Sequence, residues 1–313
     1  MKKIIALFLG LTILSCSSED QATQNVASSN ETSASVLDGK LLSFKNEESF
    51  IKEYSDLALL DSKGLQDWIA SKGLNPLLKV SEESTGTEED VVEETRIIYS
   101  DALEAILNAE SKVKIGDKVL WLNERDFYLL SENEINKNQK ELISIKENLV
   151  VYGQLLSVSK STKDLASRYV IPNENRIKTF ITDEGSFNVP GMRYRHVLDL
   201  YNETVVLNNV VYSSKMFLRS LMQYRSCSTW RCTWKTESTP VQVDGSNISA
   251  NSLFWSASLI MDNSVSGSKT FLLANWTPKA PYGEQFWYQN FTVSGNFKIY
   301  VVNAWHEIAL SWY

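Results

Sequence analysis

The chain has 313 residues, 31 Lys and Arg against 38 Asp and Glu, a formal charge of −7 and an apolar fraction of 43%. This is the composition of a globular protein with a real core, and it excludes collagen-like and wholly disordered classes. Acidic residues crowd the part before residue 190, and the lack of clustered Lys and Arg there argues against nucleic acid as a partner.

Lys2 and Lys3 precede an apolar run from Ile4 to Leu14, broken only by Gly10 and Thr12. Basic residues followed by a short apolar stretch form a signal-peptide pattern, and a membrane span would need about 20 apolar residues. The run closes on Ile13-Leu14-Ser15-Cys16, which resembles a bacterial lipobox: an aliphatic residue, a variable one, a small one, then the acylated cysteine. The resemblance implies that residues 1–15 are removed and that Cys16 carries fatty chains of the palmitate type. Several chains together give stable anchoring to a lipid bilayer, where one gives only marginal binding. Ser17-Ser18-Glu19-Asp20 is similar to the acidic export tag of Bacteroidota lipoproteins, which implies the outer face of the outer membrane. No other stretch is long and apolar enough to predict a transmembrane helix.

Residues 16–40 are rich in Ser, Thr, Asn, Gln and Ala. Too little apolar surface is available to offset ordering entropy, so a flexible tether is expected. Helical spacing then places Phe50, Ile51, Tyr54, Leu57 and Ala58 on one face, with Asn46 as N-cap and Glu47 and Glu48 in the first turn. A second helix follows Asp61 or Ser62, buries Leu65, Trp68 and Ile69, and stops at Gly73. The acidic residues Glu82, Glu83, Glu88, Glu89, Asp90, Glu93 and Glu94 lack the Gly-punctuated spacing of a calcium loop and predict a solvated loop. Helical spacing returns from Arg96 to Leu107. Val113 and Ile115, a Gly116-Asp117 turn, Val119 and Trp121, a break at Asn123–Asp126 and Phe127–Leu130 predict a three-stranded meander. Ser131-Glu132-Asn133-Glu134 predicts a capping box opening a helix to about Glu147, and Leu149–Val158 predicts a strand.

From Arg195 onward the pattern is β. Met216, Leu218, Ser220, Met222 and Tyr224 alternate with Phe217, Arg219, Leu221, Gln223 and Arg225. Val241-Gln242-Val243-Asp244-Gly245 carries a hairpin signal. Trp255, Ala257 and Leu259, then Phe271–Ala274 and Phe291–Trp305, supply further strands. The expected fold class is α+β: a small helical and meander domain at 41–160, a connecting region at 161–190, and an antiparallel β-sandwich-like domain at 191–313. Cys227 and Cys232 are the remaining cysteines. Outside the inner membrane pairing is permitted, and the four intervening residues suit a hairpin, so a structural disulfide is expected, with free thiols the alternative.

Phe44…Phe50…Leu57, Trp68, Gly73 and Tyr99…Leu103…Leu107-Asn108…Val113-Lys114-Ile115-Gly116-Asp117-Lys118-Val119 resemble uncharacterised Bacteroidota surface lipoproteins, grouped as a domain of unknown function. The likeness is sharpest from Asn108 to Val119. It implies location and fold, and transfers no catalytic residue.

The histidines are His196 and His306 alone, which excludes metal clusters of several histidines and an H-E-x-x-H helix; no metal or cofactor is expected. There is no G-x-S-x-G elbow, phosphate loop or dinucleotide fingerprint. Asp262-Asn263-Ser264-Val265-Ser266-Gly267 imitates a calcium loop, but Leu273 stands where Glu is needed. Trp230, Trp234, Trp255, Trp276, Trp287, Trp305 and Trp312 crowd the carboxyl-terminal part. Most suit a β core. Between Asn275 and Tyr288 the aromatics lie among Pro and Gly, which suits rings packed within a loop; where such rings are exposed they stack on sugar, so Trp276, Tyr282, Trp287 and Tyr288 are the candidate ligand-binding residues. The sequence therefore predicts a non-enzymatic binding module for glycan or an envelope protein. A polymer-degrading hydrolase and a structural assembly partner are the alternatives.

Overall fold

The structure is a computed structural model, and it describes residues 35–78, 97–156, 178–182, 193–227, 232–251, 264–282 and 292–312. Cys16, the acidic residues 82–94, Trp230, Trp255, Asp262, Trp287 and Tyr288 lie outside the described residues. The chain from Ala34 to Tyr313 is one compact unit. It is β-rich, with a 12-stranded and a five-stranded sheet.

The larger sheet begins earlier than the composition suggests. β1 (Ser35–Asp38) pairs with β2 (Leu41–Phe44) through a turn at Gly39, so the last residues assigned to the tether are a strand. α1 (Glu47–Leu57) starts where Asn46 Oδ1 accepts from Ser49 N at 2.9 Å, and it buries Phe50, Ile51, Tyr54 and Leu57. α2 (Ser62–Lys72) is capped by Asp61 and ends on Gly73 at φ 64°, where a left-handed cap favours glycine. α3 (Asp101–Ile106) is shorter than the periodicity of residues 96–107 predicts. The Ser100 N–H is drawn out of the helix to Glu203 Oε2 at 2.9 Å, so Ser100 becomes the cap.

β3 (Lys112–Ile115), β4 (Lys118–Asn123) and β5 (Asp126–Leu130) form the meander. Alternation sends Leu120 and Leu122 into the core under α1–α3, and Val119 and Trp121 into a smaller cluster on the opposite face with Leu142. Leu142 belongs to α4 (Gln139–Ile145), whose capping box is Asn138 with Glu141. The box expected at Ser131 is half formed: Ser131 N and Oγ both donate to Glu134, yet no α-helix follows directly. The buried Lys112 ammonium donates to the carbonyls of Ile135 and Lys137 at 2.9 and 2.5 Å, and this competes with the helix's own ladder for those acceptors.

β6 (Val150–Leu156) pairs with β8 (Tyr194–Leu207), which also pairs with β7 (Lys178–Ile181). Backbone pairing thus crosses the 161–190 stretch in which the sequence places a domain boundary. β8 and β9 (Val210–Cys227) form one long hairpin over Asn208 and Asn209, at φ 47° and 60°, the left-handed pair that fits a two-residue turn. Along its other edge β9 carries β15 (Ala280–Pro281), β14 (Ser268–Trp276) and β10 (Cys232–Thr236) in succession. Cys227 and Cys232 sit opposite each other at the end of this pairing and are joined by a disulfide.

Both faces of the hairpin are covered. Tyr201, Val205, Leu207, Phe217 and Leu272 join the core under the helices. Their neighbours Leu198, Leu200, Met216, Leu218, Phe271 and Leu273 join a second core with the five-stranded sheet. That sheet holds β11 (Val241–Asp244), β12 (Ser249–Asn251), β13 (Ser264–Val265), β16 (Thr292–Val301) and β17 (Ala304–Trp312). The Asp244-Gly245 turn does not make a hairpin: β11 and β12 both pair with β16, so the chain bulges out and rejoins the same edge. Gly295, at φ 126°, faces that bulge, and an added Cβ would lie 2.2 Å from the Asn247 carbonyl oxygen.

His196 is buried in the second core, with Nε2 2.8 Å from Ser220 Oγ and its ring 5.3 Å from Phe297. Burial pushes its pKa down from 6.5 to about 3. The unfolded chain therefore takes up this proton first, so the stability tied to a neutral His196 is full above about pH 6.5 and is lost as pH falls through about 3. His196→Leu is expected to unfold in urea with a weaker dependence on pH between 7 and 4 than the parent; equal dependence would contradict the assignment.

Candidate functional site

The two-residue turn Val302-Asn303, both at positive φ, fixes the register of β16 against β17. Trp305 is thereby set opposite Tyr300, Tyr300 opposite Gln242 and Gln242 opposite Ser264. Directly paired residues share a face, with Cβ atoms about 4.5–5.5 Å apart. One in-register row therefore crosses four strands on the face turned away from the core that receives Val243, Ile299 and Val301. Trp305 is 50% exposed, the one aromatic among the large apolar side chains exposed in the described residues. Its ring lies 5.3 Å from that of Tyr300. Pro240, Gln242, Val243, Ser264 and Trp305 line a depression of about 530 Å³. One pleat along, Glu307 is paired with Lys298 and Lys298 with Asp244, a charged row beside the aromatic one. The Ser246 N–H donates to Asp244 at 2.8 Å and holds its carboxyl below the usual range. Chemically, this surface offers an aromatic plane, an amide and a hydroxyl, edged by both signs of charge.

A second site lies on the other side of the central hairpin. Across β8 and β9, Asp199 faces Arg219, Tyr201 faces Phe217 and Glu203 faces Lys215, all on the face covered by α1 and α3. Arg219 pairs with Asp199 at 2.9 Å. The Glu203 carboxylate accepts from Tyr54 OH, from Ser100 Oγ at 2.7 Å and from Ser100 N. The Lys215 ammonium stands 4.2 Å from the Tyr54 ring centre and donates to Ser55 Oγ at 3.0 Å and Ser213 Oγ at 2.5 Å. Burial raises the pKa of Glu203 and lowers that of Lys215 to about 7, the latter partly opposed by Glu203 and Asp56. Above this network Glu48, Ile51, Lys52, Ser55 and Asp56 of α1 face Tyr212, Asn275, Thr277 and Lys279 across a groove of about 360 Å³.

Of the four aromatics singled out in the sequence, Trp276 and Tyr282 are described, and Trp287 and Tyr288 lie outside the described residues. Trp276 ends β14, half-buried, opposite Ser214. Tyr282 folds back: its N–H donates to Asn209 O at 2.8 Å, and its ring packs against Leu156, Val206 and Val211. The polar residues between them, Asn275, Thr277 and Lys279, are the ones that reach the groove. Trp305 is not among the candidate ligand-binding residues of the sequence, because a tryptophan within a strand pattern looks like core. The hairpin Tyr300-Val301-Val302-Asn303-Ala304-Trp305 carried the missing signal, since a two-residue turn at Val302-Asn303 forces residues 300 and 305 to be neighbours.

Removing one member of the buried charged set leaves the other without compensation, at a cost of about 3–5 kcal/mol. Glu203→Gln and Lys215→Met are each expected to lose about that much in urea unfolding. The double variant is expected to fall short of their sum by roughly 0.5–3 kcal/mol, since residues in one network couple. Strict additivity would show that the two groups do not interact.

No family model matches the chain, and no curated protein does. A solved structure described as a DUF4848 family protein from Bacteroides thetaiotaomicron is similar at 10% identity, over 88% of this chain and 98% of that one, with a TM-score of 0.23. So loose a likeness carries neither fold nor function across.

Proposed function

We propose that this chain is a lipid-anchored outer-membrane protein of the Bacteroidota surface-lipoprotein kind, and that its outer β face binds glycan. On this reading Cys16 carries the acyl anchor and the following residues form the tether. An α+β amino-terminal part supports a sandwich-like carboxyl-terminal part that presents the binding face. The lipobox Ile13-Leu14-Ser15-Cys16 supports the address, and no helix among the described residues is long and apolar enough to cross a membrane.

The observation that carries the binding reading is the row Trp305, Tyr300, Gln242, Ser264. A sugar ring has one apolar face and a rim of hydroxyls. An exposed indole covers the former, while an amide and a hydroxyl in the same row answer the latter. The strands hold these side chains before any ligand arrives, so little ordering entropy remains to be lost on binding. Exposed rings on soluble proteins attract non-specific partners, and the charged row Asp244, Lys298, Glu307 limits which neighbours can settle there.

The test uses the Cys16→Ser protein, expected in the soluble rather than the membrane fraction. It is titrated with a panel of polysaccharides and oligosaccharides while tryptophan fluorescence is followed. At least one glycan is expected to shift the emission, and Trp305→Ala is expected to weaken binding about tenfold or more, as loss of a stacking anchor worth about 1.4–2 kcal/mol would. A panel without response, or a response indifferent to Trp305→Ala, would remove the proposal.

A further inference from the structure

The groove over the central hairpin contains a pairing that the binding face does not use. Ser55 lies in the last turns of α1, half-buried, and is one of the residues lining the groove. Its Oγ is 3.0 Å from Lys215 Nζ, which enters from β9 beneath it and is itself wholly buried. Asn275 is paired with Lys215 across β14 and β9 and lines the same groove as Ser55. We propose that Ser55 and Lys215 form a serine–lysine dyad that hydrolyses small acyl esters or activated amides bound in this groove.

The geometry meets the requirements of the step one by one. A serine hydroxyl is a weak nucleophile until a neighbouring base within hydrogen-bond reach removes its proton. A lysine can be that base only when its amine is substantially neutral, which burial achieves. Several groups face Lys215. The Glu203 carboxylate from β8 and Asp56 from α1 favour the ammonium, as does the face of the Tyr54 ring, while desolvation favours the amine and prevails, so that Nζ titrates at about 7. Tyr54 and Ser100 donate to Glu203 and disperse its charge. Ser213 Oγ fixes the Nζ position from the other side.

In the first half-reaction Ser55 Oγ bonds to the acyl carbon while its proton passes to the neutral Lys215 amine. The carbon–oxygen or carbon–nitrogen bond to the leaving group then breaks, and the leaving group takes that proton from Lys215. Water from the open groove attacks the acyl-serine, gives its proton to Lys215, and releases the acid as Ser55 regains its hydrogen. The Asn275 amide and the Thr277 hydroxyl are the uncharged donors able to meet the developing oxyanion from the β14 side of the groove. Ile51 and Tyr212 supply apolar lining for the acyl chain, and the charged rim of Glu48, Lys52, Asp56 and Lys279 suits a short, polar-ended substrate.

The experiment treats the Cys16→Ser protein with an alkyl fluorophosphonate and locates the adduct by peptide mass spectrometry. The Oγ–P bond forms, fluoride leaves, and the proton goes to Lys215. A single adduct on Ser55 is expected, absent from Ser55→Ala. Its rate is expected to rise about tenfold between pH 6 and pH 8, following the neutral fraction of a base titrating at about 7. Lys215→Arg, which keeps the cation but cannot act as base, is expected to abolish labelling while circular dichroism stays that of the parent. No adduct on Ser55, a rate flat across that pH interval, or undiminished labelling in a folded Lys215→Arg protein would overturn the proposal. If Lys215→Arg does not fold, the pH profile of the parent decides alone. The probe carries no sugar, so this outcome is separate from that of the glycan titration.

Discussion

The molecule is organised by one constraint: the β8–β9 hairpin is buried on both faces along almost its whole length. A strand in that position reads as a near-continuous buried run, and any polar group on it must find a partner inside the protein. Asp199, Glu203, Lys215 and Arg219 are placed there nonetheless. Their cross-strand pairing makes the burial tolerable, and the hydroxyls of Tyr54, Ser55 and Ser100 complete it from the helices. The same contacts therefore determine where α1 and α3 sit. Ser100 both starts α3 and binds Glu203, so secondary and tertiary structure meet in one side chain.

The elements governed by neighbours in sequence were legible from residues alone. Asn46, Asp61 and Gly73 mark helix ends, and Gly116 marks a hairpin, because each acts on backbone groups within a few positions. Where the structure departs from the local pattern, the causes are remote in sequence. Ser100 shortens α3 because Glu203 takes its N–H, and residues 131–137 fail to coil where Lys112 claims two carbonyls. Asp244-Gly245 looks like a hairpin, but the partner of both flanking strands is β16, about fifty residues onward in the chain. None of these partners lies inside a local window.

The candidate sites follow the same logic. Trp305, Tyr300, Gln242 and Ser264 come from four strands, and only register makes them a row. Composition points to aromatic residues in the carboxyl-terminal half, and among the described residues the exposed large aromatic there is Trp305, in a hairpin strand. Ser55 and Lys215 are far apart in sequence and belong to no motif. Neither is marked by a histidine-based motif in the sequence, and only the fold brings them within hydrogen-bond reach. The hairpin ties the two sites together structurally: one of its faces receives the five-stranded sheet that displays the aromatic row, and the other holds the lysine under α1.

The claim on which this account most depends is that the interior around β8 and β9 is dry enough to displace the titration of a lysine. Carbon–nitrogen correlation spectra of lysine-labelled protein, followed from pH 5 to 11, would report each side-chain amine directly, with the Lys215 signal identified by its loss in Lys215→Met. A midpoint near 7 is the expected result. A midpoint near 10.5, the ordinary lysine value, would contradict the account, because Lys215 would then be an ammonium at neutral pH and no base for Ser55.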